Sequence, residues 1–342
     1  MQRIAIIAQY ANNRAVWNAM KLHIDLILAG GHQVKLFVGK NDDLSFLGDY
    51  QSSNVVHYSS NKQLRQLIRE DDSISHLWCP STFSVLKMAS LRKKANIIYW
   101  VQGTVPDESY LRNKSRLRKI VLRCFEDLAL SVAKNYVYVS EGMVDFYKGR
   151  IATKNKNHIV VPCLSEFTEV VIPQKTPNSF VYIGGLSEWQ CFEQILDVYE
   201  QVRTPNSIFH IITHEIEKGQ NILRSRNFDM SGVKIYSMTD RNEISKVLSK
   251  FQYGFLIRKE SPVNYVASPI KFLEYLSCGV NVIMTDAVPY YADVVKQYNV
   301  GSVINLNDRI KLAPFSDKAD KVHRQLFSRD RFIQLYRNLF SS

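Results

Sequence analysis

Short apolar runs alternate with longer segments of helical spacing from one end of the chain to the other. This alternation predicts βα units and parallel sheets, because a strand buried on both faces reads as a continuous apolar run and needs a crossover helix to return. In the first half the runs place strands over residues 4–8, 33–38, 75–78, 97–101, 136–139 and 159–161. The first helix falls near 15–28, with Trp17, Met20, Leu22, Ile24, Ile27 and Leu28 in helical spacing, and it stops at Gly30-Gly31. A left-handed C-terminal cap calls for glycine at such a stop.

A turn-rich stretch with Pro162, Pro173, Pro177 and Asn178 interrupts the pattern, which then restarts. Strands are predicted over 180–183, 209–213, 234–236, 253–257, 280–284 and 301–303, with helices near 192–202, 241–250 and 269–276. The boundaries that follow are an N-terminal domain over 1–165, a C-terminal domain over 166–325 and a final helix over 326–342. That helix carries Phe332, Leu335, Tyr336 and Leu339 on one face, and the N-terminal domain is its expected packing surface. A length of 342 residues suits two domains with separate cores. The expected fold class is α/β, two Rossmann-like domains facing each other across a cleft. Ligands of open parallel sheets bind outside the carboxyl ends of the strands, so the loops of both domains would line that cleft.

The densest chemistry lies between Arg258 and Thr285. Ser268-Pro269 has the form of an N-cap followed by proline at the first helical position. Lys271 then adds a positive charge to a helix start that already favours anions, a conflict that a bound phosphate would remove. Glu274 shares the face of Lys271 at the reach of sugar hydroxyls. Arg258, at the end of a strand, is a second candidate phosphate clamp.

In their order and spacing these residues resemble a family. Ser268-Pro269-Ile270-Lys271-Phe272-Leu273-Glu274-Tyr275, followed by Cys278-Gly279 and Val282-Ile283, is similar to the donor-binding signature of retaining glycosyltransferases of family 4, with the GT-B fold. The bacterial surface-polysaccharide branch is the nearest match. Trp100-Val101-Gln102-Gly103 with Pro106-Asp107-Glu108 resembles the family's acceptor-facing loop. Val139-Ser140-Glu141-Gly142-Met143 resembles its "VSxxM" turn, and Tyr182-Ile183-Gly184-Gly185-Leu186-Ser187 resembles the opening of its nucleotide-sugar domain.

The resemblance implies transfer of a sugar from a nucleotide-diphosphate donor, with retention at the anomeric carbon and without a cofactor or required metal. Arg258 and Lys271 would stabilise charge on the departing phosphate, assisted by Ser268 and Pro269 at the helix start. Glu274 would hold the ribose, and Gly184 and Gly185 would let the backbone approach the pyrophosphate. Ser187 and Trp189 would complete the donor side, the tryptophan by stacking on a base or sugar. On the acceptor side the resemblance implicates Gln102, Gly103, Ser140 and Glu141, with Asp107 and Glu108 as candidate proton acceptors. The chain also departs from the family. Val266 stands eight positions before Glu274 where a first glutamate is usual, and Trp189-Gln190 lie near where an arginine and a lysine are usual.

Charge narrows the partners. The chain carries 44 Lys and Arg against 32 Asp and Glu, a formal net charge of +12. The excess is dense where Arg112, Lys114, Arg116, Arg118, Lys119 and Arg123 alternate with Leu111, Leu117, Ile120, Val121 and Leu122. This basic amphipathic segment fits an anionic membrane surface, in keeping with a glycan or lipid-linked acceptor. Nucleic acid is not expected, since the segment lacks interleaved aromatics. Five scattered cysteines without a CxxC pair fit a reducing compartment, and residues 4–8 read as a buried strand rather than a secretion signal. The expected location is cytoplasmic, peripheral at the inner face of the membrane. His210 and His214 flank a strand end and are not expected to bind zinc. Two other functions compete on the same scaffold: a nucleotide-sugar epimerase, and a non-catalytic subunit that binds a partner glycosyltransferase.

Overall fold

The computed structural model describes residues 1–8, 14–40, 54–150, 153, 156–165, 167 and 170–341. The chain forms two compact units, Met1–Cys163 with Arg329–Ser342, and Leu164–Ser328. Residue 166, where the sequence puts the boundary, lies outside the described residues.

In the first unit the strands are β1 (Arg3–Ala8), β2 (Gln33–Gly39), β3 (Val55–Tyr58), β4 (Ile74–Cys79), β5 (Asn96–Val101), β6 (Asn135–Tyr138) and β7 (Asn157–Val160). They form one sheet in the order β3-β2-β1-β4-β5-β6-β7, parallel throughout. β3 escapes the apolar pattern because it is an edge strand, with none of its residues fully buried. The central strands are the opposite case: Ile4 to Ala8 are wholly buried, as strands covered on both faces must be.

The final helix, Arg329–Ser341, belongs to this unit. Phe332, Tyr336, Leu339 and Phe340 are its buried face, and it packs on the Arg14–Ala29 helix and β7. Tyr336 Oη meets His23 Nδ1 at 2.6 Å, and Arg337 donates to the Gly30 and Ala29 carbonyls at 3.2 and 3.4 Å. A cation there satisfies the open carbonyls of the first helix's C-terminus.

The second unit holds β8 (Ser179–Ile183), β9 (Ile208–Ile212), β10 (Val233–Tyr236), β11 (Tyr253–Leu256), β12 (Asn281–Met284) and β13 (Gly301–Val303). Their order is β10-β9-β8-β11-β12-β13, again all parallel. An aromatic core of Phe180, Tyr199, Phe209, Phe228, Tyr253 and Phe255 fills one side of the sheet. Strand order runs outward in both directions from the β8–β11 pair, so the crossovers after these two strands diverge. The loops after their carboxyl ends therefore enclose the crevice that such sheets use for ligands.

Candidate functional site

Gly184 and Gly185 follow β8, and Arg258 follows β11 by two residues. The Ile270–Ser277 helix is fastened beneath them by Tyr275, whose hydroxyl accepts from the Ile183 amide at 3.2 Å. A Cβ on Gly254 would come within 2.8 Å of the Tyr275 ring, so glycine in β11 is what admits the tyrosine. The helix is buried along its whole length from Lys271 to Ser277. This explains why a polar lysine and glutamate, which the sequence places on one helical face, both lie inside the protein.

Lys271 and Arg258 converge, at 7 and 8 % exposure. Lys271 Nζ donates to Gln190 Oε1 at 2.9 Å and stands 4.3 Å from the centre of the Tyr182 ring. Arg258 Nη1 donates to the same Gln190 oxygen at 2.8 Å and to the Trp189 carbonyl at 3.1 Å. Its backbone is pinned by Thr285, which accepts from the Arg258 amide at 3.0 Å and donates to its carbonyl at 2.6 Å. Burial holds the Lys271 ammonium well below the usual lysine range; Arg258 pushes it further down and Glu274 opposes. Burial also lowers the Arg258 guanidinium. Two desolvated cations of the same sign disfavour each other, and an anion between them would relieve both.

Gly184 is in the left-handed half of conformational space, φ 142°, and a Cβ there would approach Lys271 Nζ to 2.8 Å. Gly185 is close against Glu215, whose carboxylate would lie 3.0 Å from a Cβ. Glu215 in turn accepts from the Leu186 amide and from Lys218 at 3.1 Å, shaping the turn after β8.

The structure corrects several expectations. The helix starts at Ile270 with Pro269 as its cap, and Ser268 does not cap it: its hydroxyl pairs with Tyr291 Oη at 2.8 Å. A short helix, Pro262–Tyr265, lies between β11 and this helix. One oxygen of Glu274 is already engaged, since Arg241 is ion-paired to its Oε1 and stacks 4.6 Å from the Phe167 ring centre. Val266 is buried, so the position of the missing glutamate faces core. Ser187 precedes the Glu188–Gln190 turn with no capping bond from its side chain, and Trp189 on that turn is 61 % exposed.

In the first unit, Gln102 is exposed and donates to the Pro80 carbonyl at 2.7 Å. The two expected proton acceptors differ sharply. Asp107 is buried and ion-paired on both oxygens, to Lys119 at 2.7 Å and Arg123 at 2.6 Å. It is an anchor between the Val105–Asn113 and Arg116–Val132 helices, not an available base. Glu108 lies against Gly103, where a Cβ would stand 2.0 Å from its Oε1. Burial raises its carboxyl; Arg112 opposes and Asp107 adds to the rise. Ser140 is the buried N-cap of the Glu141–Lys148 helix, accepting from the Met143 amide at 3.0 Å, while Glu141 is exposed in its first turn.

The Arg116–Val132 helix leaves an apolar stripe open to solvent. Leu117, Ile120, Val121, Phe125 and Leu128 recur at helical spacing and are exposed, Leu117 to 74 %. Glu126 turns inward and is fully buried, receiving Tyr147 Oη at 2.8 Å and Arg150 Nη1 at 2.7 Å. Arg116 and Arg118 remain exposed beside Leu117. Phe83, also exposed, extends the apolar stripe by its contact with Phe125, ring centres 6.0 Å apart. Among the described residues no helix is long and apolar enough to cross a membrane.

Sequence reasoning missed three participants in the donor-side cluster. Gln190 was visible only as an oddity, standing near an expected cation. Arg241 gave no local signal, being 33 residues from the glutamate it holds. Tyr182 reads as an ordinary strand aromatic until Lys271 is seen over its ring. His210, expected not to bind metal, bonds Tyr236 Oη at 3.0 Å, and His214 lies beyond the strand end.

No protein-family model and no curated protein matches the chain. Solved structures do. The HepE protein of Anabaena in complex with UDP-glucose superposes with TM-score 0.63 at 11 % identity, covering 100 % of both chains. The lipopolysaccharide outer core galactosyltransferase WaaB gives 0.62 at 14 %, covering 100 % of this chain and 98 % of that one. A glycosyltransferase of avilamycin A biosynthesis gives 0.61 at 12 %, with 100 and 99 % coverage. At these identities the likeness concerns the fold alone, and over its full length the chain has the two-domain GT-B architecture of glycosyltransferases.

Proposed function

We propose that the chain is a retaining, metal-independent glycosyltransferase of family 4, moving a sugar from a nucleotide-diphosphate donor to a glycan acceptor of the cell surface. The observation that carries this reading is the buried Arg258–Lys271 pair near the carboxyl ends of β8 and β11, beside Gly184, whose lack of a Cβ admits the Lys271 ammonium. In glycosyl transfer the bond from the anomeric carbon to the diphosphate breaks while the acceptor oxygen bonds that carbon. Negative charge collects on the departing phosphate, and preorganised cations stabilise it there more than in the ground state. That one GT-B neighbour holds UDP-glucose and another acts in lipopolysaccharide synthesis supports the donor class and the cell-surface setting.

On this reading Glu274, oriented by Arg241, keeps its second oxygen for a donor hydroxyl, and Glu108 is the acceptor-side carboxylate with a raised affinity for protons. The exposed apolar stripe with Arg116 and Arg118 supports peripheral docking on an anionic cytoplasmic membrane face, where a lipid-linked acceptor resides. The second reading, a non-catalytic subunit, is favoured by the burial of Val266 where a donor-contacting carboxylate is usual. Titration of UDP, GDP, ADP, CMP and dTDP with their sugar conjugates into wild type and Lys271→Ala tests the first. Selective binding lost in the variant, with turnover of the conjugate, supports it. Binding without turnover on any acceptor favours the subunit, and equal binding by both proteins removes the assigned site.

A further inference from the structure

We propose that Gln190 is an internal ligand of the Arg258–Lys271 pair, occupying the anion position in the free protein and yielding it to a diphosphate. The inference rests on reading that pair as the diphosphate site.

The electrostatics motivate it. Among the described residues no carboxylate lies within ion-pair distance of Arg258 or Lys271, and the nearby Glu274 is engaged by Arg241. Buried cations are stable only when their charge is matched and their donors are used. Here Arg258 Nη1 and Lys271 Nζ are met by neutral oxygens: Gln190 Oε1 for both, with the Trp189 and Ile257 carbonyls also accepting from Arg258. These oxygens leave the charge unmatched. A single oxygen receiving a guanidinium at 2.8 Å and an ammonium at 2.9 Å is also the arrangement of a clamped phosphate oxygen.

The local backbone suits an exchange. Gln190 ends a one-turn segment, Glu188–Gln190, and the next residue, Cys191, is left-handed at φ 54° without being glycine. Such a conformation is strained and persists only where surrounding contacts hold it. Gln190 is itself half-buried and its neighbour Trp189 is exposed, so the turn that carries it lies at the surface. Chemistry favours glutamine over other residues. Its oxygen accepts from the cations when the site is empty, and rotation of the amide presents Nε2 as a donor to an incoming phosphate oxygen.

The test uses inorganic pyrophosphate, which carries neither base nor sugar, titrated calorimetrically into the full chain, with melting temperatures measured without ligand. Gln190→Ala is expected to bind at least threefold more tightly than wild type and to melt lower. Gln190→Glu, whose carboxylate would neutralise both cations, is expected to bind more than tenfold more weakly and to melt higher. Weaker binding by Gln190→Ala, or wild-type binding by Gln190→Glu, would overturn the proposal. Lys271→Ala separates the two readings. If it loses pyrophosphate while both Gln190 variants behave as wild type, only the internal-ligand role fails. If it binds as wild type does, or if wild type binds none, the anion site itself fails and the proposal with it.

Discussion

Gly184 and Lys271 are matched, since a methyl group on the glycine would reach within 2.8 Å of the lysine ammonium. Gly184→Ala therefore meets two obstacles, the φ of 142° and the occupied space. The expected result is a loss of about 1–2 kcal/mol in stability and at least a tenfold loss in diphosphate affinity, because the ammonium must move off the Tyr182 ring. Chemical denaturation and calorimetry on the same variant check both parts. An alanine variant with native affinity would show that Lys271 does not set the site.

Proton uptake should accompany donor binding. Lys271 has a depressed affinity for protons in the free protein, from burial first and Arg258 second, and a bound diphosphate restores it. Affinity is accordingly expected to rise as pH falls below the ordinary lysine value of 10.5, with net proton uptake read from calorimetry in buffers of different ionisation enthalpy. The sign for folding is the reverse. The folded free chain holds fewer protons than the unfolded one, so this group's contribution to stability grows as pH rises toward the ordinary lysine value of 10.5. Lys271→Arg, which does not titrate in this range, should abolish the uptake. Equal uptake in the variant would assign the proton elsewhere.

Arg241 is expected to act through Glu274. Removing it in Arg241→Ala leaves a buried carboxylate without that partner, at a cost of about 1–3 kcal/mol. Adding Glu274→Gln to the same chain should recover part of that loss, since a neutral amide tolerates burial better. A double-mutant cycle in urea reads the coupling. Strict additivity would mean that the ion pair does not hold the glutamate.

For the Arg116–Val132 helix, apolar contacts should matter as much as charge. Replacing Leu117, Ile120 and Phe125 by serine is expected to lower binding to vesicles of phosphatidylglycerol at least tenfold, without changing diphosphate affinity. Replacing Arg116 and Arg118 by glutamine should lower binding chiefly at low salt. If vesicle sedimentation is unchanged by the serine variant, the stripe has some other partner.

Glu126 anchors that helix from its buried side. Glu126→Ala strips the buried acceptor from Tyr147, while Arg150 keeps Asp127 at 2.8 Å, and a loss of about 1–3 kcal/mol is expected. Glu126→Gln keeps an oxygen there and should lose less. The ordering of the two midpoints in denaturant checks the claim.

How far the sequence carried can be judged at particular positions. Central strands such as β1 and β5 were legible because both faces are buried and the apolar run is unbroken. β3 was not, because a half-covered edge strand has no such run. The Lys271–Glu274 spacing correctly put two polar residues on one face, yet gave no sign that Glu274 would be claimed by Arg241. In the segment from Arg112 to Arg123 the alternation reads as amphipathic but does not say which side faces water. Helical periodicity separates two faces and does not orient them. Orientation here came from Asp107 on a neighbouring helix and from Glu126, Tyr147 and Arg150 inside.

By itself, the sequence determined the local order of elements, the two repeated βα patterns and the placement of glycines at strand ends, since those follow from short-range sterics and burial. The partners of Arg258 and Lys271 were decided only by tertiary structure. Gln190 is separated from them by 68 and 81 positions, and no local rule links residues so far apart. They meet because β8 and β11 are neighbours in a parallel sheet, and that adjacency is a property of the folded core.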